Sequence, residues 1–266
     1  MRERVPHMAY TREILNLAVE IGEAMLQNGA EIYRVDDTIK HILKAYEVEN
    51  CHVYVLSNGI FASANEGKED SCSIIRHVPQ SSVHLARIAA LNQLSREICS
   101  HDCSLMESWI RLDECRALPD YSDRKQILAC GLGCAGFTWL CGGQIIDAGI
   151  TFFIGCLLRY MILFAGRHEI SNLMVNISGS FLLTTISILM ADAGLPVLQD
   201  KIVIGGIMAL IPGITFTTSI RDLLNADYLS GIIHMIDALL TAVEIAVGVG
   251  ATFALYEAMT GGIFGL

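Results

Sequence analysis

The sequence predicts an α+β cytoplasmic domain followed by an all-α membrane domain of five transmembrane helices. Three observations carry this. Residues 1–126 hold 33 charged side chains, about 26%, as an ordinary soluble domain does. Residues 127–266 hold 13, about 9%, too few to cover a water-exposed globular surface. That second part also contains five apolar stretches, each near the ~20 residues a helix needs to cross a bilayer. The expected domains are therefore 1–126 and 127–266.

The N-terminal elements follow in order. From Thr11 to Asn28, Ile14, Leu17, Ala18, Ile21 and Met25 share one helical face, and Asn28-Gly29 supplies a stop. Ile32–Tyr46 reads as a second helix. His52–Leu56 and Gly59–Ala64 read as strands around Ser57-Asn58-Gly59, since Asn-Gly is a hairpin signal. Asn65–Ser71 reads as a polar turn and Ser73–Val78 as a third strand. Ser82–Ser100 reads as a helix. Ser104 and Glu107 stand as a capping box opening another helix to Ala117, and Pro119–Lys125 forms a charged linker.

The five apolar stretches are Ile127–Ile146, Gly149–Gly166, Leu173–Met190, Ile202–Ile220 and Gly231–Leu255. With five crossings, Arg124, Lys125, Arg167 and Arg221 fall on one side and Lys201 on the other. Positive charge favours the cytoplasmic side, which places the N-terminus in the cytoplasm and Leu266 outside.

Composition excludes several functions. The chain nets −10 with no basic stripe, which argues against a nucleic-acid partner. Of its nine cysteines, the five in the soluble part read as free thiols and the four in apolar stretches as small hydrophobes, and Cys99, His101 and Cys103 lack a second pair at zinc spacing. No cofactor or metal is expected. Walker, GxSxG and dinucleotide motifs are absent, so no catalytic residue is assigned.

The residues that stand out lie in the apolar half. His234, Asp237, Thr241 and Glu244 are spaced 3, 4 and 3 apart on one face of the fifth stretch. Ionisable groups at membrane depth are costly, so they mark either a proton or substrate path or a polar helix–helix contact. Arg159 lies inside the second stretch, where it can snorkel, pair with Glu244 or Asp147, or bind a carboxylate. Asp147 ends the first stretch, where a solvated loop carboxylate is the plain alternative. Pro212-Gly213, followed by Thr215, predicts a broken or bent fourth helix, a device that exposes backbone groups to solutes. Asn172, Asn176, Ser180 and Thr184 form a stripe whose simplest use is interhelical hydrogen bonding. Glu31, Arg34, Asp36 and Asp37 are adequately explained by an ion pair at a helix start.

Three segments look familiar together. Gly22-Glu-Ala-Met-Leu-Gln-Asn-Gly-Ala-Glu-Ile-Tyr-Arg-Val-Asp-Asp37, Leu140-Cys-Gly-Gly-Gln-Ile-Ile-Asp147, and Ile211-Pro-Gly-Ile-Thr-Phe-Thr-Thr-Ser-Ile-Arg-Asp222 with Asp227, Ser230 and Gly231 resemble the threonine/serine exporter (ThrE) family. The likeness runs from about Tyr10 to about Gly250, to the larger, YjjP-type half of the form divided between two proteins.

The resemblance implies a non-enzymatic subunit in the bacterial inner membrane. It would export small amino acids such as threonine and serine, or small organic acids, with the proton gradient. It implies a small integral-membrane partner of the YjjB type and assembly into an oligomer in the bilayer. The family often has an arginine and a glutamate where this chain has His234 and Asp237, and Gly-Asp where it has Ala226-Asp227. The expected path joins Asp147, Arg159, Asn176, Pro212, Gly213, Thr215, Arg221, Asp222, His234, Asp237 and Glu244. Arg159 would attract a carboxylate, the Pro212-Gly213 break would offer backbone groups, and Glu244 with Asp237 and His234 would carry a proton. The rival readings are a membrane-anchored enzyme and a regulatory subunit, each acting through the N-terminal domain.

Overall fold

The computed structural model describes residues 7–48, 50–65, 71–79 and 83–260. The chain forms two compact units, Met1–Asp120 with Thr218–Ile232, and Tyr121–Thr217 with Ile233–Leu266.

In the first unit, α1 (His7–Gln27) buries Ile14, Leu17, Ala18, Ile21 and Met25, the face expected from their spacing. It ends in a Schellman turn. Gly29 takes φ +82°, its N–H donates to the Leu26 carbonyl, and the Ala30 N–H donates to the Met25 carbonyl. Reversing the chain there lets α2 (Ile32–Ala45) lie against α1, with Val35, Ile39 and Ile42 buried.

The strands are β1 (Cys51–Leu56), β2 (Gly59–Asn65) and β3 (Ser71–His77), in an antiparallel sheet ordered β1-β2-β3. Leu56 pairs with Gly59, so the two-residue loop is Ser57-Asn58 and Gly59 opens β2. Val55, Ile60, Ala62 and Ala64 face the helices, while Tyr54, Phe61 and Ile75 are exposed. The expected turn before Ser71 lies outside the described residues at 66–70, as does the start of the next helix at 82.

Next, α3 (Leu85–Cys99) is capped by His84, whose Nδ1 accepts from the Arg87 N–H at 3.1 Å. In α4 (Leu105–Arg116) Ser104 Oγ accepts from the Glu107 N–H, as the capping-box reading expects. Burial pushes the Cys99 and Cys115 thiols above the ordinary cysteine range. At pH 7.5 both should therefore react with iodoacetamide at least about threefold more slowly in the folded protein than in urea, as peptide mass spectrometry would register.

The second unit is helical. It contains α5 (Asp123–Leu140), α6 (Ile145–Arg167), α7 (Asn172–Asp192), α8 (Gln199–Ile207), the first part of α9 (Gly213–Leu224) and most of α10 (Tyr228–Thr260). Among them α6, α7 and α10 are long and apolar enough to cross a membrane. The stretch expected as one helix over Ile127–Ile146 is divided. Gly142 takes φ +87°, the Gly143 N–H turns back to the Thr138 carbonyl, and α6 starts at Ile145. The stretch Ile202–Ile220 is also divided, with Met208–Pro212 outside helix, where the Pro212-Gly213 break is expected.

Side-chain contacts fix the helix directions. Asp123 meets Arg167 and Gln126 meets Arg159, so α5 and α6 are antiparallel. Ser187 Oγ donates to the Gln199 carbonyl, and Gly206 lies against Leu183, so α7 and α8 are antiparallel. Asn176 meets Glu244 and Ser180 meets Gly248, so α7 and α10 are parallel. Small residues allow the closest approaches. A methyl group on Gly131 would stand 2.8 Å from the Phe152 carbonyl, and one on Gly205 would overlap Thr138.

Candidate functional site

Polar residues in the second unit gather at two levels. The first is at the N-terminus of α6. Asp147 is fully buried there. Its Oδ2 accepts from the Gln144 N–H at 2.7 Å, and its Oδ1 accepts from the Leu198 N–H at 2.9 Å. The Gln144 side chain accepts from the Asp147 N–H in return, completing a capping box. The loop-carboxylate alternative is thus corrected. Asp147 fastens the entry of α8 to the start of α6, where the helix dipole also favours a negative charge. Sequence reading missed this because the second partner is a backbone group 51 residues away.

The second level is at the opposite end of α6. Arg159 donates to Gln126 Oε1, and Arg167 pairs with Asp123. Arg159 therefore pairs with neither Asp147 nor Glu244. Twelve residues separate it from Asp147, about 18 Å along a helix. Gln126 was not singled out in the sequence, since it stands where the linker meets the apolar run.

Near the start of α7, Asn176 Nδ2 donates to Glu244 Oε2 at 2.8 Å. Both side chains are partly buried. The contact joins two residues that the sequence marks on separate helices. It also sets the level of Glu244, which is central in α10 yet lies opposite the second turn of α7. One turn further along both helices, Gly248 faces Ser180, whose Oγ donates to the Asn176 carbonyl at 2.7 Å. Beyond that, Thr252 Oγ1 donates to the Phe181 carbonyl at 3.2 Å. The missing side chain at Gly248 leaves room for this close approach, a signal readable as a small residue in an apolar helix.

Other expected residues lie apart from this contact. Asp237 is exposed, and its carbonyl accepts from Thr241 Oγ1. His234 is half-buried. Pro212 precedes α9, its carbonyl accepting from the Phe216 N–H at 2.9 Å. Around Gly213 there is open space for a side chain, so packing does not demand glycine there. Thr215 is half-buried.

Arg221 and Asp222 belong to the first unit. Arg221 pairs with Glu31, and Asp222 is buried at 2% exposure. The turn after α9 is tightly built. The Asp227 N–H donates to the Asp222 carbonyl at 2.9 Å, Ala226 takes φ +64°, and a methyl group on Gly231 would meet Leu223. Glu31 also receives Arg34 at 3.4 Å, the ion pair expected from the sequence. Its second partner, Arg221, was not foreseen. No group of three or more His, Cys, Asp or Glu suited to a metal occurs among the described residues.

Comparison with known proteins decides the family. A family profile described as "Putative threonine/serine exporter" matches residues 16–256. The chain belongs to the threonine/serine exporter family. It is 26% identical to the "Probable threonine/serine exporter" of Mycobacterium tuberculosis over 251 residues, which cover 90% of this chain and 46% of that protein. It is 23% identical to the "Threonine/serine exporter" of Corynebacterium glutamicum, over 92% of this chain and 51% of that protein. An uncharacterized protein of Schizosaccharomyces pombe is 24% identical over 94% of this chain and 34% of its own length. The chain thus spans about half the length of the two bacterial exporters. No solved structure matches it. Relatives named as exporters, rather than enzymes, together with three long apolar helices, make this a membrane protein of a transport family.

Proposed function

We propose that this chain is one subunit of a proton-coupled secondary exporter of small amino acids, threonine- or serine-like, or of small organic acids. The observation that carries this reading is the Asn176–Glu244 hydrogen bond. A carboxylate inside an apolar helix, held by a neutral amide rather than neutralised by a cation, is placed to take up and release a proton. The named activities of the relatives supply the solute class. The resemblance to the divided form of the family adds a small integral-membrane partner of the YjjB type to this proposal.

The membrane topology we propose has five crossings, with α5 as the first and α8 and α9 together making the fourth. The parallel course of α7 and α10 supports it, since one return crossing must separate two helices that run the same way. In this arrangement residues 1–126 form the cytoplasmic domain at the bacterial inner membrane, with 218–232 packed into it, and the rest of 127–266 forms the membrane domain. Arg159 and Gln126 then stand near the cytoplasmic entrance, where a guanidinium attracts a carboxylate. Asp147 lies at the far end as a structural tie. Pro212, Gly213 and Thr215 mark the broken part of the fourth crossing. Arg221 and Asp222 form the turn before the last helix, which carries His234 and Asp237.

The test is efflux of labelled serine, threonine and small dicarboxylates from liposomes holding this chain with its partner. Proton-driven efflux is expected, and Glu244→Gln should lower its rate at least about tenfold, since a fixed neutral amide cannot cycle a proton. An unchanged proton-dependent rate in Glu244→Gln would overturn the mechanism.

A further inference from the structure

Glu31 precedes the first residue of α2, yet it does not cap that helix through its side chain. Its carboxylate is largely covered, at 17% exposure, and receives two guanidinium groups. Arg34 comes from the next turn of its own helix. Arg221 comes from the last turn of α9, 190 residues away in sequence. Thr218–Ile232 packs into the same compact unit as Met1–Asp120. Ser219, Asp222 and Ser230 are buried within that segment, so it is an integral part of the unit.

Two features make this contact more than local packing. First, α9 starts immediately after the Met208–Pro212 break, so the segment held at Arg221 is the far end of the helix that the break frees. Second, Arg221 is half exposed, and a pair of that exposure is weak enough to form and break during a working cycle. The Gly29 turn fixes where Glu31 stands, because it sets the exit of the chain from α1.

We propose that Glu31 is a positioning residue for transport, holding the α9–α10 turn through Arg221 and so letting the N-terminal α+β domain set the position of the helix that follows the break. This rests on the transport reading above. It gives that domain a mechanical task without requiring it to bind solute.

The experiment uses the full chain with its partner in liposomes, comparing wild type, Glu31→Gln, Arg221→Gln and the double exchange Glu31→Arg/Arg221→Glu made together with Arg34→Gln, so that the new arginine does not face Arg34. Two quantities are read: the initial efflux rate of labelled serine, and hydrogen exchange of peptides covering 218–232. Each single variant should raise exchange in 218–232 and lower efflux by about threefold or more, and the double exchange should restore both. Single variants that leave both quantities at wild-type values would overturn the proposal. So would losses that the double exchange does not repair, since that pattern marks a merely structural role. If wild type itself shows no efflux, the transport reading fails, and the exchange data alone still decide whether Glu31 holds the turn.

Discussion

Asp147→Ala should destabilise the second unit by about 2–7 kcal/mol, measured by the denaturation of the detergent-solubilised protein. The carboxylate accepts from two backbone N–H groups, those of Gln144 and Leu198, and removing it leaves both without their acceptor. Each abandoned donor costs about 1–3 kcal/mol where water is scarce. The helix N-terminus also loses a favourable charge, about 0.3–1 kcal/mol. Asp147→Asn separates these effects. It keeps the volume and one oxygen, so one N–H retains an acceptor while the other faces an NH2 group. About half the loss is therefore expected for Asn. A change below about 0.5 kcal/mol in Asp147→Ala would show that the two N–H groups find other acceptors, and the tie between α6 and α8 would then be unimportant.

The second large effect is expected at Gly248. Any side chain there overlaps Ser180 and the Ile177 carbonyl. The carbonyl is part of α7 itself, so a rotamer change cannot relieve the clash and the helices must separate. Gly248→Leu should cost about 1–3 kcal/mol, the usual penalty of overpacking, and should also break the Asn176–Glu244 hydrogen bond one turn away. Efflux should fall to the level of Glu244→Gln. Gly250→Ala is the control, because nothing lies within 4 Å of a methyl group there. On helix propensity alone it should be neutral or stabilising by up to about 1 kcal/mol. If Gly248→Leu transports like wild type, the close approach of α7 and α10 is not needed for function.

What the sequence reveals and conceals follows from the range of each interaction. The first four helices and three strands are local patterns, and their apolar spacing and stop signals suffice. The Pro212 break is local too, since a missing N–H acts on its own helix. The end of α5 is harder. A hydropathy window runs straight across Cys141–Gly143, and only the left-handed backbone of Gly142 divides it. The site residues divide in the same way. Glu244 stands out as a charge in an apolar run, and Asn176 as part of a polar stripe, but nothing in either local pattern pairs them. Asp147 is conspicuous as an acid beside the membrane stretch, while its bond to Leu198 needs the fold. Glu31 already has a sufficient local partner in Arg34, which hides the distant one.

The parallel course of α7 and α10 has a geometric consequence. Asn176, Ser180 and Thr184 recur every four residues on one helix, and Glu244, Gly248 and Thr252 recur every four on the other. The interface is thus a vernier with matching marks. Sliding α10 by one mark, about 6 Å along the axis, sets Glu244 opposite Ser180 and Gly248 opposite Thr184. The carboxylate then meets a hydroxyl instead of a leucine or isoleucine, and the glycine again lies against a small side chain. Rotation of α10 toward the flank that carries Val243 and Val247 has no such partner waiting, because both side chains are bulky and apolar. Axial translation is the displacement for which this helix pair already has a second register.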